Sequence, residues 1–355
     1  MSPPAPDPGQ SGPLVSILVP SFNGAAFLRE ALDSLLAQTY PAIEILVLDD
    51  ASTDGTPEIL AAYGDRITCI RQPRNMGIYD NVNVGIARAR GEFIATYHAD
   101  DIYLPTIVEA QVAYLQAHPE VGAVFCSDIF VDAQGEEYNR LVLPPEVRGE
   151  RALDYAAVLN ALLKHKNRFL VCPTAMVRAS VHADVGAYRQ DRYRNTADLE
   201  MWLRIARGYP IAVLEAHLMK YRHFHGNSSQ RYHRLRTEPE NFFAIMDEYL
   251  AMDGARVANP EAMVNYEAHR CEDRLMAAIS HYIKGELPQG RKALSQVSLG
   301  TIARATRVQH RLIVLAMAMW VLLRLPRSEW IAERMLQRWH VKRPPKSRRA
   351  PAVAG

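Results

Sequence analysis

Two short apolar segments of this chain each lead into a pair of aspartates. Residues 44–48 are followed by Asp49-Asp50, and residues 93–97 are followed closely by Asp100-Asp101. A buried strand with acids at its carboxyl end places them where parallel α/β sheets bind ligands. Neighbouring carboxylates repel one another unless a cation or hydrogen-bond donors neutralise them. The two pairs therefore predict a divalent metal ion and a polar, phosphorylated ligand.

Each pair also has a simpler explanation. The segment Asp49–Thr56 is rich in Asp, Ser and Thr, which are the usual helix-capping residues. Capping explains Asp54 and Thr56 but not two consecutive acids, one of which can accept a hydrogen bond from a uracil-type imide or a ribose hydroxyl. In the second pair, we expect one acid to bind Mg²⁺ or Mn²⁺ and the other to cap or support the following helix.

A third candidate is the turn Pro20–Gly24, which joins a strand to a helix. Its backbone N–H groups could meet an anion near the helix N-terminus. The turn lacks the GxGxxG pattern of dinucleotide-binding proteins, which weakens a dehydrogenase interpretation. Taken alone, the turn is better explained as an ordinary strand–helix connection.

The elements that must position these residues alternate in the first half of the chain. Apolar, β-branched segments predict strands, and apolar residues at helical spacing predict helices between them. The predicted strands are Val15 to Pro20, Ile43 to Leu48, Ile67 to Ile70, Phe93 to Tyr97 and Val121 to Cys126. The predicted fold is α/β, with a mostly parallel sheet flanked by helices. Residues 130–175 are less regular, and the pattern from Thr237 onward is mostly helical.

Composition narrows the function classes. The 355 residues are 48% hydrophobic and 23% charged, as in ordinary globular proteins, and a net charge of +2 does not indicate nucleic-acid binding. The four cysteines have no metal-ligand spacing and are expected to be free thiols in a reducing compartment. Residues 1–13 lack the features of a secretory signal and predict a disordered tail. The sequence contains no uninterrupted apolar segment of 18 or more residues, so it does not predict a membrane-spanning helix.

An ordered set of motifs resembles the family-2 inverting glycosyltransferases of GT-A fold. The match covers about residues 14–230. It comprises Val15–Asn23, Leu35–Pro41, Asp49–Thr56, Asn75–Gly77, Gly91–Ile94, Asp100-Asp101, Gly186–Tyr188, Ala197–Arg204, Tyr221-Arg222 and His225–Ser229. No single motif is decisive, but their order along the chain is specific.

The resemblance implies roles for individual residues. Asp198 is the implied general base, although the chemistry of its segment equally allows an acid at a helix N-terminus. Asp100 is the implied metal-contacting carboxylate for Mn²⁺ or Mg²⁺, and His98 and His225 complete the metal set, with His223 as the alternative to His225. The nucleotide-sugar-binding residues implied in this way are Pro20, Ser21, Asn23, Asp50, Gly77 and Asp100.

The chain departs from the family pattern at two positions. His98 stands where the family usually has the first aspartate of its DXD motif, and a neutral imidazole can still bind Mn²⁺. Ala197 replaces the usual glutamate before the base. These departures keep a non-catalytic sugar-nucleotide-binding protein open as an alternative. A nucleotidyltransferase is a second alternative, although Ser21 to Ala26 contains no cation.

The implied activity is transfer of a sugar from a nucleotide-diphosphate sugar, with UDP-sugars favoured, to a hydroxyl of a glycan or lipid-linked acceptor. Cell-surface polysaccharide or glycolipid synthesis is the implied setting. The predicted domains are a tail (1–13), a GT-A domain (14–230), a helical region (231–340) and a basic tail (341–355). Within the GT-A domain, 14–128 is the predicted nucleotide-sugar-binding half and 129–230 the predicted acceptor and catalytic half.

The C-terminal region carries a separate signal. Leu312 to Leu323 is apolar and short for a bilayer span, and it is flanked by arginines and followed by a basic tail. Residues 310–349 therefore predict either a helix lying on an anionic membrane surface or a packed helix with a solvated tail. The expected location is cytoplasmic, with peripheral contact with the inner face of the cell membrane if the first interpretation holds.

Overall fold

The computed structural model describes residues 12–223, 235–306, 311–325, 330, 331 and 334. The chain forms two compact units. The first contains residues up to 159 and 167–223, and the second contains residues 160–166 and those from 224 onward.

The first unit is built on one sheet. Among the described residues, the sheet order is β3-β2-β1-β4-β8-β6-β9-β5, and β7 pairs with β6. The strands are β1 (Val15–Ser21), β2 (Ile43–Asp49), β3 (Thr68–Arg71), β4 (Phe93–Thr96), β5 (Ile102–Tyr103), β6 (Ala123–Val131), β7 (Glu137–Arg140), β8 (Ala175–Arg178) and β9 (Ile211–Arg222).

Helices flank this sheet, as the alternating pattern predicts. They are α1 (Leu28–Leu36), α2 (Thr56–Ala61), α3 (Ile78–Ile86), α4 (Ile107–Ala117), α5 (Tyr155–His165), α6 (Ala179–Val185), α7 (Gln190–Tyr193) and α8 (Ala197–Gly208). The α1 helix buries Leu28, Leu32 and Leu35 in the same core as the β1 and β2 side chains, because these leucines recur at helical spacing. The predicted α/β class and its flanking helices are confirmed.

The two halves of the sheet differ in strand direction. The β1, β2, β3 and β4 strands are mutually parallel, and all seven residues of β1 are buried, which is typical of a strand covered on both faces. The β8 strand then runs antiparallel between β4 and β6. The sheet is therefore parallel in the half that the sequence pattern resolves and mixed in the half where that pattern fades.

The second unit is helical. Its helices after residue 234 are α9 (Asn241–Met252), α10 (Pro260–Ile283), α11 (Leu287–Ser295), α12 (Leu299–Arg304) and α13 (Arg311–Leu322). A separate apolar core contains Leu275, Tyr282, Ile302 and Met319. Among the described helices, none combines the length and the apolar character needed to cross a bilayer.

Candidate active site

The carboxyl ends of β1, β2 and β4 meet at one edge of the sheet, because the three strands are parallel neighbours. The loops that follow them carry the predicted motifs. A Cβ atom placed on Gly24, in the first loop, would lie 3.9 Å from Cβ of Ala99, in the third. The turn after β1 is therefore packed beside the segment that contains His98 and Asp100.

The turn after β1 is held by the loop after β2. Backbone N–H groups of residues 23–25 donate to side-chain oxygens of Ser52 (2.9 Å), Thr56 (3.0 Å) and Asp54 (3.1 Å), respectively. The Asn23 side chain accepts in turn from the N–H of Thr53 at 2.8 Å. These N–H groups are thus engaged within the protein, as expected of an ordinary strand–helix connection. Pro20 and Ser21 end β1 and are buried.

Both acids of the first pair are hydrogen-bonded within the protein. Asp49 accepts from the N–H of Ser52 at 3.0 Å and from the Arg71 guanidinium at 2.9 Å. Asp50 accepts from the N–H groups of Met76 at 2.7 Å and Gly77 at 2.9 Å, one on each carboxylate oxygen. A carboxylate has about four acceptor positions. Asp50 therefore fixes the Met76-Gly77 turn and keeps acceptor capacity for a ligand.

Gly77 is required by the geometry of this turn. Its φ of 89° and ψ of 159° lie in a region that is essentially restricted to glycine. A Cβ atom there would lie 2.4 Å from the Gln190 side chain, which cannot easily withdraw. Gln190 donates to the carbonyl of Met76 at 2.6 Å and accepts from the N–H of Tyr79 at 2.8 Å. Gln190 thereby joins α7 to the start of α3.

We expect Gly77→Ala to lower the free energy of unfolding by about 2–4 kcal/mol, because backbone strain adds to the clash with Gln190. Gly64→Ala is a matched control, since Gly64 also has a positive φ, 56°, but no atom of the described residues lies within 4 Å of a Cβ placed there. The control should cost about 1 kcal/mol. Denaturant unfolding measures both values, and equal costs would contradict the role assigned to the Gln190 contact.

The second acid pair lies beside a histidine. Ligand atoms of His98, Asp100 and Asp101 lie within 4.8 Å of one another. Among the described residues, neither Nε2 of His98 nor Oδ2 of Asp101 has a hydrogen-bond partner, although both atoms are buried. Ligands on opposite sides of a small divalent ion are about 4 Å apart. The three side chains therefore fit a shared cation.

The protonation state of His98 suits metal binding. Burial lowers the pKa of His98, and the neighbouring Asp100 carboxylate opposes that shift. The imidazole is therefore neutral near pH 7 and has a lone pair to donate. Mg²⁺ prefers oxygen ligands, so a nitrogen ligand moves the preference toward a transition-metal ion such as Mn²⁺.

Asp101 has a structural role in addition to its place in the cluster. Its Oδ1 accepts from the N–H of Arg222 at 2.9 Å, and the Arg222 guanidinium donates to the carbonyl of Asp100 at 3.0 Å. Arg222 is buried, pairs with Glu30 and stacks over the Phe27 ring. Arg222 thus fastens the acid pair to β9 and α1.

Asp198 is the second residue of α8 and is partly exposed. Burial raises its pKa to about 6, while hydrogen bonds from the Leu199 N–H and the Tyr79 hydroxyl oppose the rise. The Tyr79 ring is stacked on Tyr188, with centroids 5.2 Å apart. A carboxylate with this pKa is largely ionised near neutral pH and can accept a proton in a reaction.

The Cys172 thiol is influenced by both Asp198 and the acid cluster. Burial and the carboxylates of Asp198 and Asp101 together raise the pKa of its thiol well above the ordinary value. Both acids must therefore lie near the same buried thiol. The sequence places Asp198 and Asp101 far apart, and the fold brings them to one region.

An open cleft of about 420 Å³ lies at the start of α3. It is lined by Gly77, Ile78, Asp80, Gln190, Asp191, Arg194 and Asn195. The cleft adjoins the turn that Asp50 holds and the helix that carries Tyr79. It offers a polar cavity beside the predicted donor residues.

The structure leaves one predicted ligand unplaced and adds residues that the sequence did not suggest. His225 lies outside the described residues. The alternative, His223, follows β9 and bonds to the Tyr138 hydroxyl. The sequence did not assign these roles to Tyr79, Cys172, Gln190 or Arg222, because no spacing rule links them to their distant partners in the fold.

Several known proteins that this chain resembles in sequence are described as glycosyltransferases. The family model described as Glycosyl transferase family 2 matches residues 16–186. The putative glycosyltransferase EpsE of Bacillus subtilis is 33% identical over 199 residues, covering 55% of this chain and 67% of EpsE. An uncharacterized glycosyltransferase of Rickettsia felis is 32% identical over 222 residues, 62% of this chain. This chain spans only 35% of the R. felis protein and 59% of a related Rickettsia typhi protein.

Solved structures share the fold. TarS 1–349 of S. aureus, in complex with UDP-GlcNAc, has a TM-score of 0.59 at 19% identity and covers 92% of both chains. The mannosyltransferase PcManGT of Pyrobaculum calidifontis, in complex with GDP-Man and Mn²⁺, has a TM-score of 0.50 at 19% identity, covering 94% of this chain and 86% of PcManGT. At these identities the likeness concerns the fold.

Proposed function

Because this chain belongs to glycosyltransferase family 2, we propose that it transfers a sugar from a nucleotide-diphosphate sugar to an acceptor hydroxyl with inversion. The observation that carries this proposal is the placement of Asp198. Asp198, a partly exposed residue whose carboxyl group has a pKa of about 6, acts with Asp101 on the same buried thiol, that of Cys172. A base and a candidate leaving-group site thus belong to one region.

The proposed reaction needs a base for the acceptor hydroxyl and a site for the departing diphosphate. Asp198 removes the proton from the acceptor hydroxyl while the hydroxyl oxygen bonds to the anomeric carbon. The bond from that carbon to the diphosphate breaks on the opposite side, so the configuration inverts. Proton transfer to a carboxylate is favourable late in the reaction, when the attacking hydroxyl has become acidic.

The leaving diphosphate needs positive charge. His98 and Asp100 are the residues that would hold Mn²⁺ or Mg²⁺, and Asp101 lies in the same cluster. A bound divalent ion stabilises the negative charge that develops on a departing diphosphate. PcManGT, which shares the fold, is described in complex with Mn²⁺. That likeness supports the metal proposal.

The donor is proposed to be a UDP-sugar, with GDP- and dTDP-sugars as alternatives. TarS is described with UDP-GlcNAc and with UDP, and PcManGT with GDP-Man. In this chain the predicted donor residues Ser21 and Asp50 share a direct contact, since the Asp50 N–H donates to the Ser21 carbonyl at 2.8 Å. Gly77, bonded to Asp50, extends the same surface to the open cleft.

A panel of nucleotide sugars with Mn²⁺ tests this proposal. A donor at 100 times its dissociation constant should stabilise the protein by about 2.7 kcal/mol, which a thermal shift detects. Release of nucleoside diphosphate, with and without candidate glycan acceptors, reports turnover. If no nucleotide sugar stabilises the protein with any divalent ion, the proposal is wrong. Stabilisation without turnover on any acceptor would favour a non-catalytic binding protein.

The Tyr79 hydroxyl is expected to tune the base. Tyr79→Phe removes a hydrogen bond that favours the ionised form of Asp198, so the pKa of Asp198 should rise. Transfer needs the ionised base, and kcat/KM should therefore increase through about pH 6 in the wild type and about one pH unit higher in the variant. The measurement is kcat/KM between pH 5 and 8.

Tyr188→Phe is the matched control for Tyr79→Phe. Tyr188 is the ring stacked on Tyr79, and burial raises the pKa of its phenol well above the ordinary value. Removing its hydroxyl keeps the stacked pair and the Tyr79 hydrogen bond. Its pH profile should coincide with that of the wild type. Equal shifts in both variants would show that ring packing, not the hydrogen bond, sets the pKa of Asp198.

We further propose that α13 contacts the inner face of an anionic membrane. One face of this helix is buried through Leu312, Ala316 and Met319. The other exposes apolar side chains, with Val314 65% and Trp320 54% exposed. An apolar helix face flanked by arginines is typical of interfacial helices. This contact would bring the enzyme to a lipid-linked acceptor.

Val314→Glu should reduce co-sedimentation with vesicles that contain anionic lipid, because it places a negative charge on the face that would enter the membrane. Val142→Glu is the control, since Val142 is 74% exposed and belongs to the other unit. Unchanged sedimentation of Val314→Glu, or equal loss in both variants, would exclude α13 as the contact.

A further inference from the structure

An aromatic cluster lies on the strands beyond the acid pair. It consists of Phe130, Tyr138, Tyr221 and His223, on β6, on β7, on β9 and directly after β9. Their ring centroids lie 5.0–6.3 Å apart, and the Tyr138 hydroxyl bonds to Nδ1 of His223. Tyr138 is 47% exposed and the other three rings are partly exposed. The cluster therefore presents aromatic surface to solvent.

An irregularity in the sheet gives Tyr138 its place. The β6–β7 register pairs Phe130 with Asn139 and Val131 with Glu137, so Tyr138 is the extra residue of a bulge. A bulge re-aims side chains and is over-represented next to active sites. Here the Tyr138 ring lies 6.3 Å from the Phe130 ring.

A buried carboxylate lies next to the cluster. Asp128 precedes Phe130 by two residues on β6, so both side chains project from the same face of the strand. Asp128 is 1% exposed, and among the described residues its Oδ1 has no hydrogen-bond partner. Burial raises the pKa of both Asp101 and Tyr138, and the charge of Asp128 adds to each rise. Asp128 is therefore close enough to influence both the His98–Asp100–Asp101 cluster and the rings.

These observations define the chemistry of a ligand. Ring faces carry negative potential and attract the polarised C–H groups on one face of a pyranose. A carboxylate oxygen without a partner accepts hydrogen bonds, which sugar hydroxyls donate. An anionic ligand is not favoured, since Lys220 and Arg140 at the edge of the cluster both pair with Glu137.

We propose that the Phe130–Tyr138–Tyr221–His223 cluster, together with Asp128, binds a saccharide unit of the acceptor. This inference rests on the proposed function, because it assigns the acceptor side of the same site. A sugar stacked on Tyr138 and bonded to Asp128 would lie next to the acid cluster, with its chain continuing over the exposed β7 hairpin. The acceptor is then a glycan that the protein recognises through its sugar units.

Saturation-transfer NMR on the full chain tests this proposal, with methyl glycosides and short oligosaccharides as probes. At least one probe should bind the wild type with saturation strongest on its ring C–H protons. Tyr138→Leu, which keeps apolar volume but removes the ring, should weaken that binding at least tenfold. Tyr138→Phe keeps the ring and should bind within about twofold of the wild type. Val142→Ala removes exposed apolar surface from the adjacent loop and should change nothing.

Asp128→Asn should also weaken saccharide binding, because an amide accepts fewer hydrogen bonds than a carboxylate. Donor stabilisation by nucleotide sugars, measured on the same variants, should stay at the wild-type level for Tyr138→Leu. If Tyr138→Leu binds saccharides as tightly as the wild type, or if no probe binds the wild type, the inference is overturned while donor binding still supports the proposed function. Loss of donor binding in the wild type would instead contradict the proposed function itself.

Discussion

Asp198→Asn is expected to lower kcat for sugar transfer by about 10²- to 10⁴-fold, with the affinity for the nucleotide sugar little changed. The asparagine keeps the shape of the side chain but cannot accept the proton of the acceptor hydroxyl. The wild-type rate should increase with pH through about 6, because only the ionised carboxylate is a base. Single-turnover kinetics with a saturating donor measures the loss directly.

The stability of the same variant separates catalysis from structure. The pKa of Asp198 is about 6 in the folded state, above the ordinary 3.8. The ionised carboxylate therefore lowers the free energy of unfolding as the pH increases from 3.8 to about 6. Asparagine removes that cost, and Asp198→Asn should melt at the same temperature as the wild type or higher at pH 8. A lower melting temperature would indicate a structural acid.

Glu200 provides the matched comparison on the same helix. It is fully buried and paired with Arg204 at 3.0 Å and Arg189 at 3.2 Å. Breaking a buried pair by removing one charge is strongly destabilising, about 3–5 kcal/mol. Glu200→Gln should therefore lower the melting temperature, whereas Asp198→Asn should lower turnover. If Glu200→Gln instead lowered turnover and Asp198→Asn lowered the melting temperature, Glu200 would be the base and Asp198 the structural acid.

Asp100→Asn is expected to reduce turnover by about 10²- to 10³-fold and to weaken Mn²⁺ binding at least tenfold. The variant removes one full charge from a cluster whose ligand atoms lie within 4.8 Å of one another. Chelation of the wild type should abolish donor binding in the same way. Isothermal titration with Mn²⁺ and with Mn²⁺ plus UDP measures both effects.

The histidine of the cluster allows a sharper test. His98→Asp replaces a nitrogen ligand by oxygen and should move the metal preference from Mn²⁺ toward Mg²⁺. Asp65→Asn is the control, because Asp65 is exposed in the turn before β3 and outside the cluster. Full turnover in the presence of a chelator would exclude metal dependence. An unchanged metal preference in His98→Asp would exclude His98 as a ligand.

The positions of the acid pairs could be predicted because local patterns determine them. Apolar strands that end in acids, separated by amphipathic helices, specify a parallel sheet with those acids at one edge. The predicted strand Ile43 to Leu48 differs from β2 only at its last residue. The β8 and β9 strands were not predicted. β8 is only four residues long, and bulges interrupt the alternation of β9 where it pairs with β6.

The contacts of the acids could not be predicted, because their partners are distant in the chain. The Asp49–Asp50 pair suggested ligand binding because helix capping by neighbouring residues does not explain two consecutive acids. The structure supplies one through Arg71 for Asp49 and the Met76-Gly77 turn for Asp50. The partnership of Tyr79 with Asp198 likewise depends on how α3 and α8 are placed in the fold. The role of Asp50 toward a nucleoside stays a prediction.

The buried Arg222 has a consequence for how the site is assembled during synthesis. Its guanidinium joins Glu30, 192 residues earlier, to the backbone of the acid pair. Contacts of such large sequence separation form late in folding, because the chain entropy of closing a long loop must be overcome first. A nascent chain that has emerged from the ribosome only as far as α8 already contains every aspartate of the site but lacks this clamp. Metal-dependent donor binding should therefore appear only after the β9 strand has been released and has paired.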